Sequence, residues 1–298
     1  MSIAQLKRNT VIGLALSLLL AGGKFVAGLL GHSSALVADG VESLADTVGS
    51  IVVWQGFRVA SRDPDDRHPY GYGRAETVAA FSVGTLLVGA AVVIVIKAFA
   101  EMFTPHTPPA SWTLFALVGV IAAKEVLFRV VLRGAEMFDS DAARADAWHH
   151  RADAITSAVA IVGVAIAIWG PPLLGRTQLV FADEVAAILA AGIILVTASR
   201  LIRPPLLELL DASPPDLVGR VQESAARVEG VRLVEKVLAR KSGRGYHIDM
   251  HLHVPPDMPV RDAHILSGKV KARIRAEQPR VLNVLIHIEP DEKPHEPA

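Results

Sequence analysis

The residues best suited to chemistry in this chain are acids in an unexpected place. Asp39, Glu42 and Asp46 lie within Ala38-Asp39-Gly40-Val41-Glu42-Ser43-Leu44-Ala45-Asp46, inside an apolar run from Ser34 to Phe57 long enough to span a bilayer. Read as a helix, Glu42 and Asp46 are one turn apart and Asp39 precedes Glu42 by three residues, so all three share one face. Each acid at mid-membrane costs about 2.5–3.5 kcal/mol, three together about 8–10, whereas the Leu, Ile and Val residues of the run return only about 2.5–5 kcal/mol. The acids must therefore face a partner helix, water or a cation.

A matching segment occurs later. In Ala145-Asp146-Ala147-Trp148-His149-His150-Arg151-Ala152-Asp153, the residues Asp146, His149 and Asp153 answer Asp39, Glu42 and Asp46 at one constant offset. Two helical turns thus offer Glu42 with Asp46 and His149 with Asp153, a donor set able to close a tetrahedral divalent-metal site. Acids at i, i+4 usually mark a solvated helix face. Two matched pairs inside membrane-length segments point instead to function, with a dry ion-pair network as the competing reading.

Composition sets the frame for these helices. The chain has 298 residues, 51% of them hydrophobic and 20% charged, which marks a polytopic membrane protein with a soluble appendix. Its formal net charge is zero, which argues against nucleic acid as a partner. It has no cysteine, so carboxylates and imidazoles must hold any metal, a set suited to Zn²⁺, Mn²⁺, Fe²⁺ or Co²⁺.

Six apolar segments are predicted to span: Val11–Leu30, Ser34–Phe57, Ala75–Phe103, Trp112–Leu132, Ala142–Trp169 and Phe181–Ile202. The first resembles a signal peptide in its Lys7 and Arg8 flank but continues past Lys24, and reads as an uncleaved helix. Lys7, Arg8, Arg58, Arg62, Arg67, Arg74, Arg133, Arg144, Arg200 and Arg203 flank one side, and the opposite loops carry Arg176. The positive-inside rule places both termini in the cytoplasm, with Trp112 and Trp169 at the outer helix ends. Lys24, Lys97, and Lys124 with Glu125 read as snorkelling or structural pairs with no role in transport.

Arg203-Pro204-Pro205 is expected to break the sixth helix. Beyond it, Ser213-Pro214-Pro215-Asp216 reads as a cap and helix start, with the helix running to Val228. A strand over Val231–Arg240, a turn over Lys241–Gly245, a strand over Tyr246–Val254, a helix over Val260–Glu277 and a strand over Val281–Glu289 follow. In the middle strand Ile248, Met250, Leu252 and Val254 alternate with His247, Asp249, His251 and His253. That polar face, with His264, His287 and Glu289 downstream, predicts a second metal cluster. The αββαβ order implies a small open-faced α+β sandwich. The expected domains are 1–211, a six-helix all-α transmembrane domain, and 212–290, the soluble domain, with 291–298 a disordered tail.

These features together resemble the cation diffusion facilitator family, in its bacterial zinc and ferrous-iron efflux type. The resemblance rests on the two helix patterns and on Asp65-Asp66-Arg67-His68-Pro69-Tyr70-Gly71-Tyr72-Gly73-Arg74-Ala75-Glu76, similar to the family's loop between helices two and three. It implies a ferredoxin-like, metallochaperone-like cytoplasmic domain and a homodimer in the bacterial inner membrane. It also implies export of a divalent cation by alternating access in exchange for protons, with Zn²⁺ first and Fe²⁺, Cd²⁺, Co²⁺ or Mn²⁺ as further substrates.

By this resemblance the transport site is Glu42, Asp46, His149 and Asp153, although zinc and iron exporters of the family carry Asp at the position of Glu42. The loop site retains Asp65 and His68, but Tyr72 replaces its second His. The regulatory cytoplasmic site maps onto Glu235, His251, His264, His287 and Glu289, and the hinge pair onto Arg74 and Asp211. No organic cofactor and no enzymatic activity are implied: there is no H-E-x-x-H, and four ligands leave no open position for water. The competing function is a membrane metal sensor or assembly factor that binds metal without moving it.

Overall fold

A computed structural model describes residues 3–104, 108–137 and 141–291, with side chains described for 17–104, 108–130, 132–133, 151 and 153–291. Six long helices come first: α1 (Ile3–Leu30), α2 (Ser34–Ala60), α3 (Arg74–Met102), α4 (Trp112–Met137), α5 (Asp141–Leu174) and α6 (Ala182–Leu209). They are followed by α7 (Pro215–Ala226), β1 (Leu233–Ser242), β2 (Gly245–Val254), α8 (Val260–Glu277) and β3 (Val281–Pro290). The chain divides into two compact units, one of residues 1–52 and 82–201, the other of 53–81 and 202–298.

In the first unit polarity is inverted relative to a soluble protein. Phe115 is 80% exposed and Leu19 72%, while Lys24 is 1% exposed and Asp39 3%. Apolar side chains outward and charges inward suit a lipid surround. Among the described residues, three helical stretches are long and apolar enough to cross a membrane: Arg74–Met102, Asp153–Leu174 and Thr177–Leu209. α2 carries Asp39, Glu42 and Asp46, and α4 carries Lys124, Glu125, Arg129 and Arg133, which lowers their apolarity.

Helix packing here relies on small residues. Ala38 and Ala45 of α2 share a core with Val83, Leu87, Ala91, Ile94 and Ala98 of α3 and with Ala187, Ala190, Ala191, Ile194 and Ala198 of α6. Gly40 is the critical contact beside the acids, because a Cβ there would lie 2.7 Å from the backbone nitrogen of Phe25. Its absence lets α1 approach the acidic turn of α2. The N-terminus of α2 is held by Asp183 at the start of α6, which accepts from Ser33 Oγ (2.8 Å), Ser34 N–H (2.5 Å) and Ala35 N–H (3.3 Å).

The second unit contains a three-stranded sheet of order β1-β2-β3. β1 and β2 are antiparallel, while β2 and β3 are parallel through the α8 crossover. Leu217 and Val221 of α7 and Leu266, Val270 and Ile274 of α8 bury Ile248, Met250, Leu252 and Val254, the apolar face expected from alternation. Residue 291, expected in the tail, donates its N–H to Val254 O (2.8 Å), and 292–298 lie outside the described residues.

Three local expectations are corrected. Pro204 and Pro205 do not break the sixth helix: α6 continues to Leu209 and ends where Asp211 takes a left-handed φ of 52°. The two lost amide donors are tolerated because the helix end is tied down by Glu208, which accepts from Thr77 Oγ1 (2.6 Å) and Gly243 N–H (2.7 Å) and pairs with Lys241 (3.1 Å). Ser213 does not cap α7. Pro214 holds the N-cap position with Pro215 at N1, and Ser213 Oγ accepts the Ala239 N–H of β1 (3.2 Å). The hairpin is also tighter than expected, with Ser242 paired to Gly245 across Gly243 and Arg244.

Candidate metal centres

The acidic turn of α2 meets charges from α1, α4 and α5. Lys24 Nζ of α1 lies 2.7 Å from Asp39 Oδ2 and donates to Ser43 Oγ (3.1 Å) and Ser157 Oγ (3.2 Å). Ser157 Oγ of α5 lies within 3.0 Å of both Asp39 carboxylate oxygens. Asp39 is thus taken up by a buried network rather than presented with the other acids. Glu42, Asp46 and Asp153 are half-buried, and the charges of Asp46, then Asp153, bear most directly on Glu42. Lys124 of α4 pairs with Asp153 at 2.6 Å, while Glu125 pairs with Arg129 (2.8 Å) rather than with its neighbour. The side chains of Asp146 and His149 lie outside the described residues.

The second centre sits on the sheet face opposite α7 and α8. In the parallel register His251 opposes His287 and His253 opposes Glu289. A bulge between Val234 and Lys236 inserts Glu235, placing its Oε2 3.4 Å from His253 Nε2 and 3.7 Å from His251 Nδ1. Glu289 Oε2 lies 3.4 Å from His253 Nε2, and Oε1 lies 2.5 Å from His251 Nδ1 and 3.5 Å from His287 Nε2. Donor atoms of Glu235, His253 and Glu289 all fall within 4.8 Å of one another. A tetrahedral ion with bonds of about 2.1 Å separates its ligands by about 3.4 Å, so the two contacts of His253 match ligand edges.

Burial alone would raise the Glu289 carboxyl, but the His251 hydrogen bond and the charges of His251, His253 and His287 hold it below the usual carboxylate range. His253 was legible in the alternation of β2, yet the resemblance selects His251, His264, His287, Glu235 and Glu289. His264 is exposed on α8 and is not one of the three clustered donors. The reach of Glu235 depends on the bulge, which no sequence pattern announces.

At the loop, Asp65 is enclosed by its own segment. Tyr72 Oη donates to Oδ2 (2.6 Å), and Oδ1 accepts from His68 N–H (2.7 Å) and Arg67 N–H (3.0 Å), with His68 Nδ1 3.3 Å away. The Tyr72 hydroxyl first, then the His68 amide, hold the Asp65 carboxyl below its ordinary value, and the hydrogen bond to Asp65 raises the Tyr72 phenol. A metal at Asp65 and His68 would have to displace this knot.

Arg74 and Asp211 form an exposed ion pair at 2.5 Å. His247 departs from the exposed polar face expected of β2: it is 8% exposed, with Tyr70 edge-on to its ring, and neither ring nitrogen has a hydrogen-bond partner among the described residues. Desolvation first, then the Arg240 charge, lower its imidazole pKa.

The chain matches the model of the cation efflux transmembrane domain over residues 10–210 and that of the cation efflux protein cytoplasmic domain over 213–291. It is 31% identical to the manganese efflux system protein MneP of Bacillus subtilis (strain 168), over 95% of this chain and 96% of that protein. It is 31% identical to metal tolerance protein 2 of Oryza sativa subsp. japonica, over 93% of this chain and 76% of that protein. A solved C-terminal domain of MamM aligns at 29% identity, covering 26% of this chain and 95% of that one, with a TM-score of 0.26. Matched across nearly its whole length, and carrying apolar helices followed by an α+β domain, the chain belongs to the cation diffusion facilitator family of metal transporters.

Proposed function

We propose that this protein exports a divalent metal cation from the cytoplasm as a proton antiporter, working as a homodimer in a bacterial inner membrane. The gathering of Glu42, Asp46 and Asp153 in helices of a metal-transport family carries this reading. His149, on the same helix as Asp153 and one turn before it, completes the donor set. A reading with six spans, both termini in the cytoplasm and a transmembrane domain ending near residue 211 is supported by the charge bias of the loops and the length of helices α1–α6. Rocking of the helices opens the site alternately to each side. Deprotonated acids in a membrane are costly, so two protons or one divalent ion fill the site, and metal entry releases protons.

Zn²⁺ is the first substrate by intrinsic affinity. Mn²⁺ is a specific second reading, because three carboxylates with one imidazole suit a harder ion and MneP is named for manganese efflux. Glu235, His253 and Glu289, supported by His251 and His287, form the regulatory site of the soluble domain. Its exposed His287 and Glu235 leave room for a second copy, whose His264 would approach there. Arg74 and Asp211 serve as the hinge pair, with Glu208 beside them as a buried anchor.

Metal uptake by proteoliposomes under an imposed pH gradient tests the reading. Saturable uptake of Zn²⁺ or Mn²⁺ with opposite proton movement is expected. Tight metal binding with no flux would make the protein a sensor or assembly factor instead.

A further inference from the structure

The Lys124–Asp153 pair joins α4 to the proposed transport site. Lys124 projects from α4 with its side chain 8% exposed, and its ammonium lies 2.6 Å from Asp153 Oδ2. Asp153 is also a proposed ligand of the substrate cation. The same carboxylate group would therefore serve two cations in turn, one covalently tethered and one mobile.

A buried ammonium is stable only when paired, and so is a buried carboxylate. Without substrate, Lys124 satisfies both conditions at once. When a divalent ion takes Asp153, the lysine loses its close contact, so cation binding at this position is an exchange rather than an addition. The reverse step has the same character: as the ion leaves, the ammonium returns to the Asp153 carboxylate.

The second buried lysine provides an internal contrast. Lys24 pairs with Asp39, but it is also held by hydroxyls from α2 and α5, and Asp39 accepts from Ser157 as well. That network ties three helices together around a residue outside the donor set. Lys124 instead engages a donor.

We propose that Lys124 is an affinity-setting residue of the transport site, a tethered counter-cation that holds Asp153 between substrates and is displaced by each incoming divalent ion. It weakens equilibrium binding and speeds release. This rests on the assignment of Asp153 as a ligand.

The test is Zn²⁺ uptake by full-length protein in proteoliposomes at one fixed pH. Lys124→Gln keeps a donor but removes the charge, and should lower KM about tenfold, equivalent to about 1.4 kcal/mol, while reducing kcat. Lys124→Arg offers a fixed bidentate fork to the carboxylate and should raise KM severalfold. A purely structural lysine would not move KM in opposite directions with these two variants. Where Lys124→Gln folds poorly, the rise in KM expected of Lys124→Arg tests the exchange by itself.

Unchanged KM in both lysine variants, with transport abolished by Asp153→Ala, would overturn the role of Lys124 and leave the site standing. Normal transport by Asp153→Ala would overturn the site assignment itself. Lys24→Gln serves as control: it should reduce thermal stability without shifting KM in the folded fraction.

Discussion

Lys24 and Asp39 form an ion pair at 2.7 Å with both side chains almost wholly buried. The helical periodicity of α2 puts Asp39 on the same face as Glu42 and Asp46, but the approach of α1 over Gly40 gives it a private partner. Breaking such a pair leaves a buried charge uncompensated, so Lys24→Ala or Asp39→Ala is expected to cost about 3–5 kcal/mol. Replacing both by Leu should be far milder. Melting curves of the purified variants in detergent check this; a double-variant loss equal to the sum of the two single losses would deny the coupling.

Asp46→Ala and Asp153→Ala are each expected to abolish metal flux while the protein still inserts and dimerises. Each removes a proposed ligand together with an intramembrane charge, so assembly is not penalised in proportion. Asp153→Ala does leave Lys124 without its carboxylate and should be the less stable of the two. Flux near wild type from both would eliminate the assigned site.

His149→Asp is expected to shift preference from Zn²⁺ toward Mn²⁺, because an all-oxygen site favours the harder ion. A competition assay reads the ratio directly, and an unchanged Zn²⁺/Mn²⁺ ratio would remove His149 from the donor set. In the unsubstituted protein, binding should weaken below about pH 6.5 as imidazole protonation competes with metal.

In the soluble domain, His253→Ala or Glu289→Gln should weaken Zn²⁺ binding at least about tenfold, since each removes a contact at ligand spacing. The Glu289 carboxyl lies below its ordinary value, so the stability it contributes is present above the unfolded carboxylate range and is lost as pH falls through its folded pKa. Calorimetry on a variant lacking the transport ligands isolates this site. A loss of affinity in His264→Ala matching that in Glu289→Gln would place α8 of a second copy at the cluster.

His247 is a buried imidazole of β2. Its imidazole pKa is lowered by burial, so the folded state resists protonation while the unfolded chain takes a proton near the ordinary 6.5. The stability conferred by keeping His247 neutral is therefore complete above about pH 6.5 and declines as pH falls toward the depressed folded pKa. His247→Phe removes two partnerless ring nitrogens and should raise thermal stability while flattening this decline. An unaltered pH profile of melting would show that other groups control it.

Much of this protein is written in residue types and spacing. Three acids in one apolar run demanded an internal partner, and α2 supplies the expected half-buried Glu42 and Asp46. Period-two alternation in β2 separated Ile248, Met250, Leu252 and Val254 from the histidines, because strand geometry sends neighbouring side chains to opposite faces. Helix order in the soluble domain and the limits of α8 were equally local, resting on periodicity and flanking prolines.

Contacts between distant segments were decided only in three dimensions. Whether Asp39 joins Glu42 or Lys24, and whether Lys124 serves Asp153 or Glu125, depends on how α1 and α4 lie against α2 and α5. Pro204 and Pro205 mark a helix end by local rules, yet α6 survives them because Glu208, Thr77 and the β1–β2 turn hold its last turn in place. The bulge at Glu235 and the burial of His247 have the same origin. Each follows from a partner supplied by another segment, and pairings across the chain are not encoded in the period of any single one.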